Sequence, residues 1–307
     1  MIVRWGIDGL AEAVTGEFLL VASERWPAHG EAARWTEVPS ARIEEAAGLV
    51  PDCVVALGGG SAVDVGKAIS AHSGKPLVSV PTTYAGAEWA TSFGIRTPDR
   101  RFVGGGNGAH LHGVVYEPRY TLDLPRETTV GTSMNALAHC AEALYVRGHN
   151  AEADEHALAG ARLIGAWLPR VVEAPHDLEA RTELLQGASH AGRALGGAGL
   201  ALAHAMAQAI GGMYGLPHGT LNGICLPPAL RFNEQLVPEA VRAFRDAVGH
   251  DPAELAALGG STRLRDLGVP EADLPALAAR AAARPGNQAN PRPATADEIE
   301  ELLRSVY

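Results

Sequence analysis

The sequence is short of cysteine, of basic runs and of long apolar stretches. Only three cysteines, Cys53, Cys140 and Cys225, occur among 307 residues. They lie far apart with no C-x-x-C pair, which excludes a disulfide framework and a zinc-knuckle pattern and points to a reducing, cytoplasmic setting. Lysine and arginine number 25 against 35 acidic residues, a net charge of −10. An acidic chain without a basic cluster is a poor partner for nucleic acid or an anionic membrane. No uninterrupted apolar stretch is long enough to span a bilayer. The first residues, Met-Ile-Val-Arg-Trp-Gly-Ile-Asp, carry no signal-peptide pattern, and no repeat of useful period is visible. Hydrophobic residues make up 47% of the chain, so a sizeable core is available and the composition argues against global disorder. The length suits one large domain or two ordinary ones.

The stretch that organises the rest is Cys-Val-Val-Ala-Leu-Gly-Gly-Gly-Ser-Ala-Val-Asp-Val-Gly-Lys at 53–67. Cys53 to Leu57 is a short apolar run with β-branched residues and reads as a buried strand. Gly58, Gly59 and Gly60 follow, Ser61 stands where a helix N-cap belongs, and Ala62 to Ser70 reads as the helix. Strand, glycine turn and helix N-terminus together form an anion site, because the backbone can approach a phosphate and first-turn N–H groups point at it. The stretch matches neither the G-x-G-x-x-G fingerprint nor the P-loop with its terminal Lys-Ser/Thr pair. Lys67, about one and a half turns into the helix, either reaches back to the ligand or sits in solvent.

Around it, residues 17–23 read as a first strand and 35–39 as a shorter second one. Between them Glu24 to Arg34 offers a brief, Pro-interrupted helix at best. Ala41 to Leu49 reads as a helix and Pro76 to Val80 as a strand leading into Pro-Thr-Thr-Tyr-Ala-Gly-Ala-Glu at 81–88. Strands alternating with helices predict a parallel, doubly wound sheet, in which ligands bind beyond the carboxyl ends of strands. Residues 91–124 hold hairpin material with a Gly-rich turn at 104–108 and a last strand at Val114 to Tyr116. From about 125 the pattern becomes helical: Thr128 to Tyr145, Ala151 to Glu173, Leu178 to Arg193, Leu200 to Gly211 and Pro238 to Val248. A domain boundary is placed near Leu124-Pro125, giving an α/β domain over 1–124 and a helical domain over 125–307. The segment 284–295 reads as a loop before a final helix.

Four polar positions stand out in the helical half: Asn135, His139, His204 and His218. Asn135 and His139, four apart, share a helix face. His204 precedes an apolar helix and His218 follows Pro217. Histidines on three segments suit metal ligation or acid–base work. With 12 histidines in the chain, spacing alone favours the plainer reading, histidines satisfied in the core or on the surface.

Four blocks carry a resemblance: Ala-Leu-Gly-Gly-Gly-Ser at 56–61 with Lys67, Val-Pro-Thr-Thr-Tyr-Ala-Gly-Ala-Glu at 80–88, Ser-Met-Asn-Ala-Leu-Ala-His-Cys-Ala-Glu-Ala-Leu-Tyr at 133–145, and His204 through Gly211-Gly212 to Leu-Pro-His-Gly at 216–219. In this order they resemble the iron-containing alcohol dehydrogenase superfamily, most closely its maleylacetate reductase branch. The resemblance implies an N-terminal Rossmann-like α/β domain with a parallel sheet and an all-α C-terminal domain, a dehydroquinate synthase-like arrangement. It implies NADH or NADPH as cofactor, with Gly58, Gly59, Gly60 and Ser61 on the pyrophosphate and Asp64, Thr82 and Thr83, with Tyr84, lining the dinucleotide site. A small-molecule substrate and a homodimer go with it. Hydride would pass to a carbonyl or activated alkene carbon while a donor serves the developing oxyanion. His139, His204, His218 and Tyr84 are the catalytic candidates, and Asn135, Gln208 and Glu88 the substrate-facing ones.

Three departures matter. Metal-dependent members use one Asp and three His; here Asn135 takes the Asp position, while His139, His204 and His218 match the histidines. An amide removes a negative charge and a strong ligand for a hard cation, so no tightly bound catalytic iron is expected. A further family histidine, four residues after His204, is Gln208, which donates a hydrogen bond but delivers no proton. The segment before Cys53 is trimmed relative to family members. The expected function is therefore an NAD(P)H-dependent reductase of a small carbonyl or unsaturated keto acid, in a biosynthetic or aromatic catabolic pathway. The alternative is a diverged member performing an elimination, addition or cyclisation, or only binding a ligand or partner. Glu88 and Trp89 either shape a substrate pocket or pack a helix. Arg193, in the glycine-rich stretch 192–199, either binds a substrate carboxylate through a fork-like contact or, the favoured reading, forms a surface salt bridge, and Asn287, Asn290 and Arg292 are candidates to contribute to the cleft from the C-terminal loop.

Overall fold

The apolar runs of the first half become one parallel sheet in a computed structural model that describes all 307 residues. Its strands are β1 (Ile2–Trp5), β2 (Phe18–Val21), β3 (Ala33–Trp35), β4 (Cys53–Gly58), β5 (Leu77–Pro81) and β8 (Leu111–Tyr116), while β6 (Phe93–Arg96) and β7 (Phe102–Gly106) form a separate antiparallel hairpin. The sheet order is β1-β8-β5-β4-β2-β3, every neighbouring pair parallel. Successive side chains of β4 point to opposite faces, as the pleat requires. Val54 and Ala56 join one core with Leu19, Val65 and Ile69; Cys53, Val55 and Leu57 join the other with Leu20, Val78 and Val115. A strand buried on both faces needs such a continuous apolar run.

The helices of this unit are α1 (Leu10–Ala13), α2 (Ile43–Ala47) and α3 (Gly60–Ser73). Its residues are Met1–Thr83 and Ala87–Thr121. The strand order reverses between β2 and β4, and the glycine turn after β4 opens at that switch point, where open α/β sheets bind ligands.

The second unit comprises Leu122–Tyr307 and three residues borrowed from the first half, Tyr84–Gly86. Its helices are α4 (Arg126–Ala143), α5 (Ala151–Glu173), α6 (Leu178–Ala198), α7 (Leu202–Tyr214), α8 (His218–Glu234), α9 (Pro238–Val248), α10 (Pro252–Ala257), α11 (Leu274–Ala282), α12 (Pro285–Ala289) and α13 (Ala296–Arg304). Side chains start several of them: Asn150 caps α5, Asp177 caps α6, and Thr295 with Glu298 forms a capping box on α13. No single helix is long and apolar enough to cross a membrane. All three cysteines are buried and free.

Several local expectations change. The first strand is Ile2–Trp5, a half-exposed edge strand whose four residues carry little period-two signal. The second predicted strand sits earlier, at Ala33–Trp35, and Glu24 to Arg34 forms no helix. The N-cap of α3 is Gly59, so Ser61 lies within the first turn. The hairpin turns at 97–101, where Arg100 adopts φ 66°, and Gly104, Gly105 and Gly106 lie in β7. His204 lies inside α7, and the segment 284–295 contains α12.

Candidate active site

In the α/β unit the glycine turn ends in the N-terminus of the 14-residue helix α3, which no side chain caps. The N–H groups of Gly60 and Ser61 therefore have no intrahelical acceptor, while those of Ala62 and Val63 donate to the Gly59 carbonyl. Gly58 has φ 149°, a conformation that L side chains rarely adopt. A Cβ at Gly59 would lie 3.0 Å from the Thr83 methyl, whereas one at Gly60 would meet nothing within 4 Å. The Thr82 N–H donates to the Gly58 carbonyl at 3.0 Å, but its buried hydroxyl has no partner. An orphaned buried hydroxyl beside an uncapped helix start fits a phosphate-bearing ligand such as a dinucleotide.

The other candidates of this unit are more committed. Asp64 accepts from the Gly94 N–H and lies 3.7 Å from the Arg96 guanidinium; burial raises its carboxyl pKa against the pull of Lys67 and Arg96. Lys67 neither reaches the turn nor faces solvent. It is buried, and its ammonium holds the carbonyls of Ala87 and Ser92. Burial lowers its pKa, opposed by Asp64 and Glu88. Glu88 is buried and accepts from the Tyr116 hydroxyl at 2.7 Å, which in turn accepts from the Trp89 indole at 2.8 Å. Burial raises the Glu88 carboxyl. This network fastens the 87–92 segment to α3 and β8.

In the helical unit the structure gathers Asn135, His139, His204 and His218. His139 and His204 stack with ring centroids 4.8 Å apart and planes 11° from parallel; His218 is tilted at 5.6 Å from His204. The polarity of the set follows from one carbonyl. The Ala85 oxygen can only accept, so the Asn135 atom 2.9 Å away is Nδ2. Asn135 Oδ1 therefore faces His204 Nε2 at 3.3 Å and accepts from Asn222 Nδ2 at 2.7 Å, while Nδ2 faces His139 Nε2 at 3.4 Å. Asn222 Nδ2 also lies 3.0 Å from His218 Nε2. On its far side, His204 Nδ1 donates to Glu142 Oε2 at 2.7 Å. Both ring nitrogens of His204 thus face oxygens, an arrangement a doubly protonated ring satisfies. Glu142 is fully buried and accepts as well from the N–H groups of Ala201 at 2.7 Å and His204 at 3.1 Å. It caps α7, which lacks a cap from its own sequence, and locks the histidine in the same act.

Glu142 and Asn222 were absent from the sequence candidates although their spacing announces them. Positions 135, 139 and 142 lie at i, i+4 and i+7 on one helix face, and 218 and 222 at i and i+4. Asn222 Oδ1 is buried without a partner.

The remaining candidates are placed as follows. The buried Tyr84 hydroxyl accepts from Arg181 Nη1 at 3.2 Å, and the same guanidinium nitrogen binds Thr129. Thr129 lies six residues before Asn135, roughly 9 Å along α4. Gln208 lies one turn after His204 and accepts from Arg284. Asn287 and Asn290 are buried and bonded to neighbouring carbonyls and to Asn233, and Arg292 pairs with Glu298; all three brace the C-terminal segment. Arg193 is half-buried.

The family's metal does not fit this donor set as arranged. Asn135 presents an amide where metal-dependent members present a carboxylate and turns its N–H toward His139 and the Ala85 carbonyl, and no three His, Cys, Asp or Glu side chains share a point.

Gly86 holds Ala85 in place. Its φ is 71°, and a Cβ would lie 3.0 Å from Gly192 N and 3.1 Å from the Ala188 oxygen. Gly86→Ala combines a left-handed backbone cost with overpacking, about 2–4 kcal/mol together. Urea denaturation is expected to show that loss; a midpoint unchanged from wild type would contradict the close approach.

Family models match both halves of the chain: the C-terminal model of the Fe-containing alcohol dehydrogenase family over residues 129–307, and the iron-containing alcohol dehydrogenase model over 36–105. Maleylacetate reductase of Burkholderia cepacia is 37% identical over 269 residues, covering 86% of this chain and 76% of that protein. Maleylacetate reductase of Sphingobium indicum is 38% identical over 276 residues, covering 87% and 78%. The crystal structure of maleylacetate reductase from Rhizobium sp. strain MTP-10005 superposes with a TM-score of 0.88 at 30% identity, covering all of this chain and 96% of that one. With its parallel α/β unit and its helical unit, the chain belongs to the iron-containing alcohol dehydrogenase family.

Proposed function

We propose that the protein is an NAD(P)H-dependent reductase of a small unsaturated keto acid, of the maleylacetate reductase type, working without a bound catalytic metal. The observation that carries this reading is His204, buried between Glu142 and Asn135 with an oxygen at each ring nitrogen. The identity to maleylacetate reductases supports the substrate class. In this reading Gly58, Gly59, Gly60 and Ser61 hold the pyrophosphate at the start of α3, and Thr82, Thr83 and Asp64 serve the rest of the dinucleotide. A bound nicotinamide supplies the hydride. Negative charge then develops on the substrate carbonyl oxygen, where fixed hydrogen-bond donors in a buried site are most effective. His204 holds a proton at Nε2, His139 and His218 flank it, and the amides of Asn135 and Asn222 fix which nitrogen donates. Glu142 is the positioning residue behind His204. A homodimer belongs to the same reading and is checked by light scattering.

The test is binding of NADH and of NADPH by purified, metal-analysed protein, followed by reduction of maleylacetate. Saturable binding and substrate-dependent oxidation of the cofactor are expected, with iron and zinc well below one per chain. Failure to bind either dinucleotide would overturn the reductase reading, and stoichiometric iron would overturn its metal-free part.

A further inference from the structure

Arg34 and Arg284 each enclose an Nε with no hydrogen-bond partner. Arg34 has a carboxylate, that of Glu31, at 3.5 Å. Arg284, half-buried at the start of α12, has none. Its Nη1 donates to Gln208 Oε1 at 3.4 Å and its Nη2 to the Gln208 carbonyl at 3.0 Å. A guanidinium carries five N–H donors; two bonds leave three without a protein acceptor, and Nε is wholly enclosed and unpartnered. Burying a cation without an anion is costly. Here burial lowers the Arg284 pKa, and the neighbouring Arg280 adds charge of the same sign.

The backbone around Arg284 is fixed. A Cβ at Gly286 would lie 2.7 Å from the Ala201 oxygen, so α12 sits directly on the residue that starts α7. Gln208 is on α7, one turn from His204, and neighbours four apart share a face. The guanidinium is thus held at a set distance along the same helix that carries the proposed proton donor. Gln208 takes a role here that its chemistry allows: as a neutral acceptor it orients the fork without cancelling its charge.

We propose that Arg284, oriented by Gln208, binds a carboxylate of the substrate, so that the site selects dicarboxylic keto acids over neutral carbonyl compounds. This rests on the reductase reading for its catalytic meaning but not for its binding chemistry. A planar fork with free donors matches a carboxylate in two parallel bonds. Lysine, a point charge, keeps the attraction and loses the geometry.

The experiment uses the full chain with glutarate as an unreactive dicarboxylate and dimethyl glutarate as its neutral counterpart, read by calorimetry and by thermal shift. Wild type is expected to bind glutarate and not the ester. Arg284→Gln is expected to weaken glutarate binding 10- to 100-fold, and Arg284→Lys to fall between them, with NADPH affinity within twofold for all three. In turnover the loss is expected in KM rather than kcat. Glutarate affinity unchanged in Arg284→Gln overturns the proposal, as does equal binding of acid and ester by wild type. Should Arg284→Gln fold poorly, the same decision falls to Arg284→Lys, where unchanged affinity is the contrary result. Dinucleotide binding, scored separately, decides the reductase reading on its own.

Discussion

Replacing Glu142 by glutamine lowers kcat about 100-fold while dinucleotide affinity stays within a factor of two. The carboxylate accepts three N–H bonds, from Ala201, from the His204 backbone and from His204 Nδ1. Glutamine has one accepting atom and must turn an NH₂ toward the other position. With Nε2 at the Oε1 position it meets the His204 N–H. At the Oε2 position it meets the Ala201 N–H and Nδ1, and the imidazole can be accommodated only by moving its proton to Nε2 alone. Either way a buried donor is left facing a donor, worth about 1–3 kcal/mol of stability. The larger effect is on His204, which loses the anion that holds a proton on Nδ1 and with it the fixed role of Nε2. Misassigned general acids lose about 10²- to 10⁴-fold; the lower end is expected because Asn135 still orients the ring. Steady-state kinetics checks this, and the pH profile of kcat separates it from a packing defect. Glu142→Asp keeps the charge and is expected to recover part of kcat. Equal kcat in wild type and Glu142→Gln would remove His204 from the chemistry.

Much of the α/β unit was legible because a strand buried on both faces has to be a short run such as Cys-Val-Val-Ala-Leu, and Gly58 at its end holds a backbone at φ 149° that other residues rarely adopt. β1 was hidden because an edge strand with one exposed end, Ile-Val-Arg-Trp, carries no clear period. α8 was hidden by Pro227 and Pro228, which argue against a helix interior, yet the helix runs through both to Glu234. The site shows the same division. Asn135, His139, His204 and His218 were marked out by the family resemblance, since spacing alone did not separate them from histidines satisfied in the core or on the surface. The polarity of the cluster stayed hidden, since it depends on the Ala85 carbonyl, brought to α4 from 50 residues away. Arg284 was invisible for a related reason: its isolation from carboxylates is a property of three-dimensional surroundings, and 76 residues separate it from Gln208.

Asn135→Asp is expected to destabilise the protein and nearly abolish turnover in the presence of a chelator. The substitution changes one nitrogen for oxygen, but that nitrogen faces the Ala85 carbonyl at 2.9 Å in a site where Asn135 is only 5% exposed. An aspartate sets an anionic oxygen against a carbonyl oxygen with little water to separate them, and it adds a second buried carboxylate across His204 from Glu142. Leaving such a group unsatisfied costs several kcal/mol, which for a chain of this size lowers the melting temperature by roughly 5–10 °C. It also removes the N–H that faces His139 Nε2, freeing that ring to turn. Two accounts of Asn135 then predict different behaviour. If the amide is the hub of a hydrogen-bonded cluster, the variant is unstable in chelator, and Fe²⁺ or Zn²⁺ restores stability only by neutralising the new charge. If the amide is an incidental replacement in a tolerant site, the variant matches wild type in chelator in both melting temperature and kcat. Thermal unfolding with and without metal, followed by kinetics under the same conditions, separates them. The donation to Ala85 favours the first, because it is the one bond of the cluster that an aspartate cannot make at any orientation while it remains ionised.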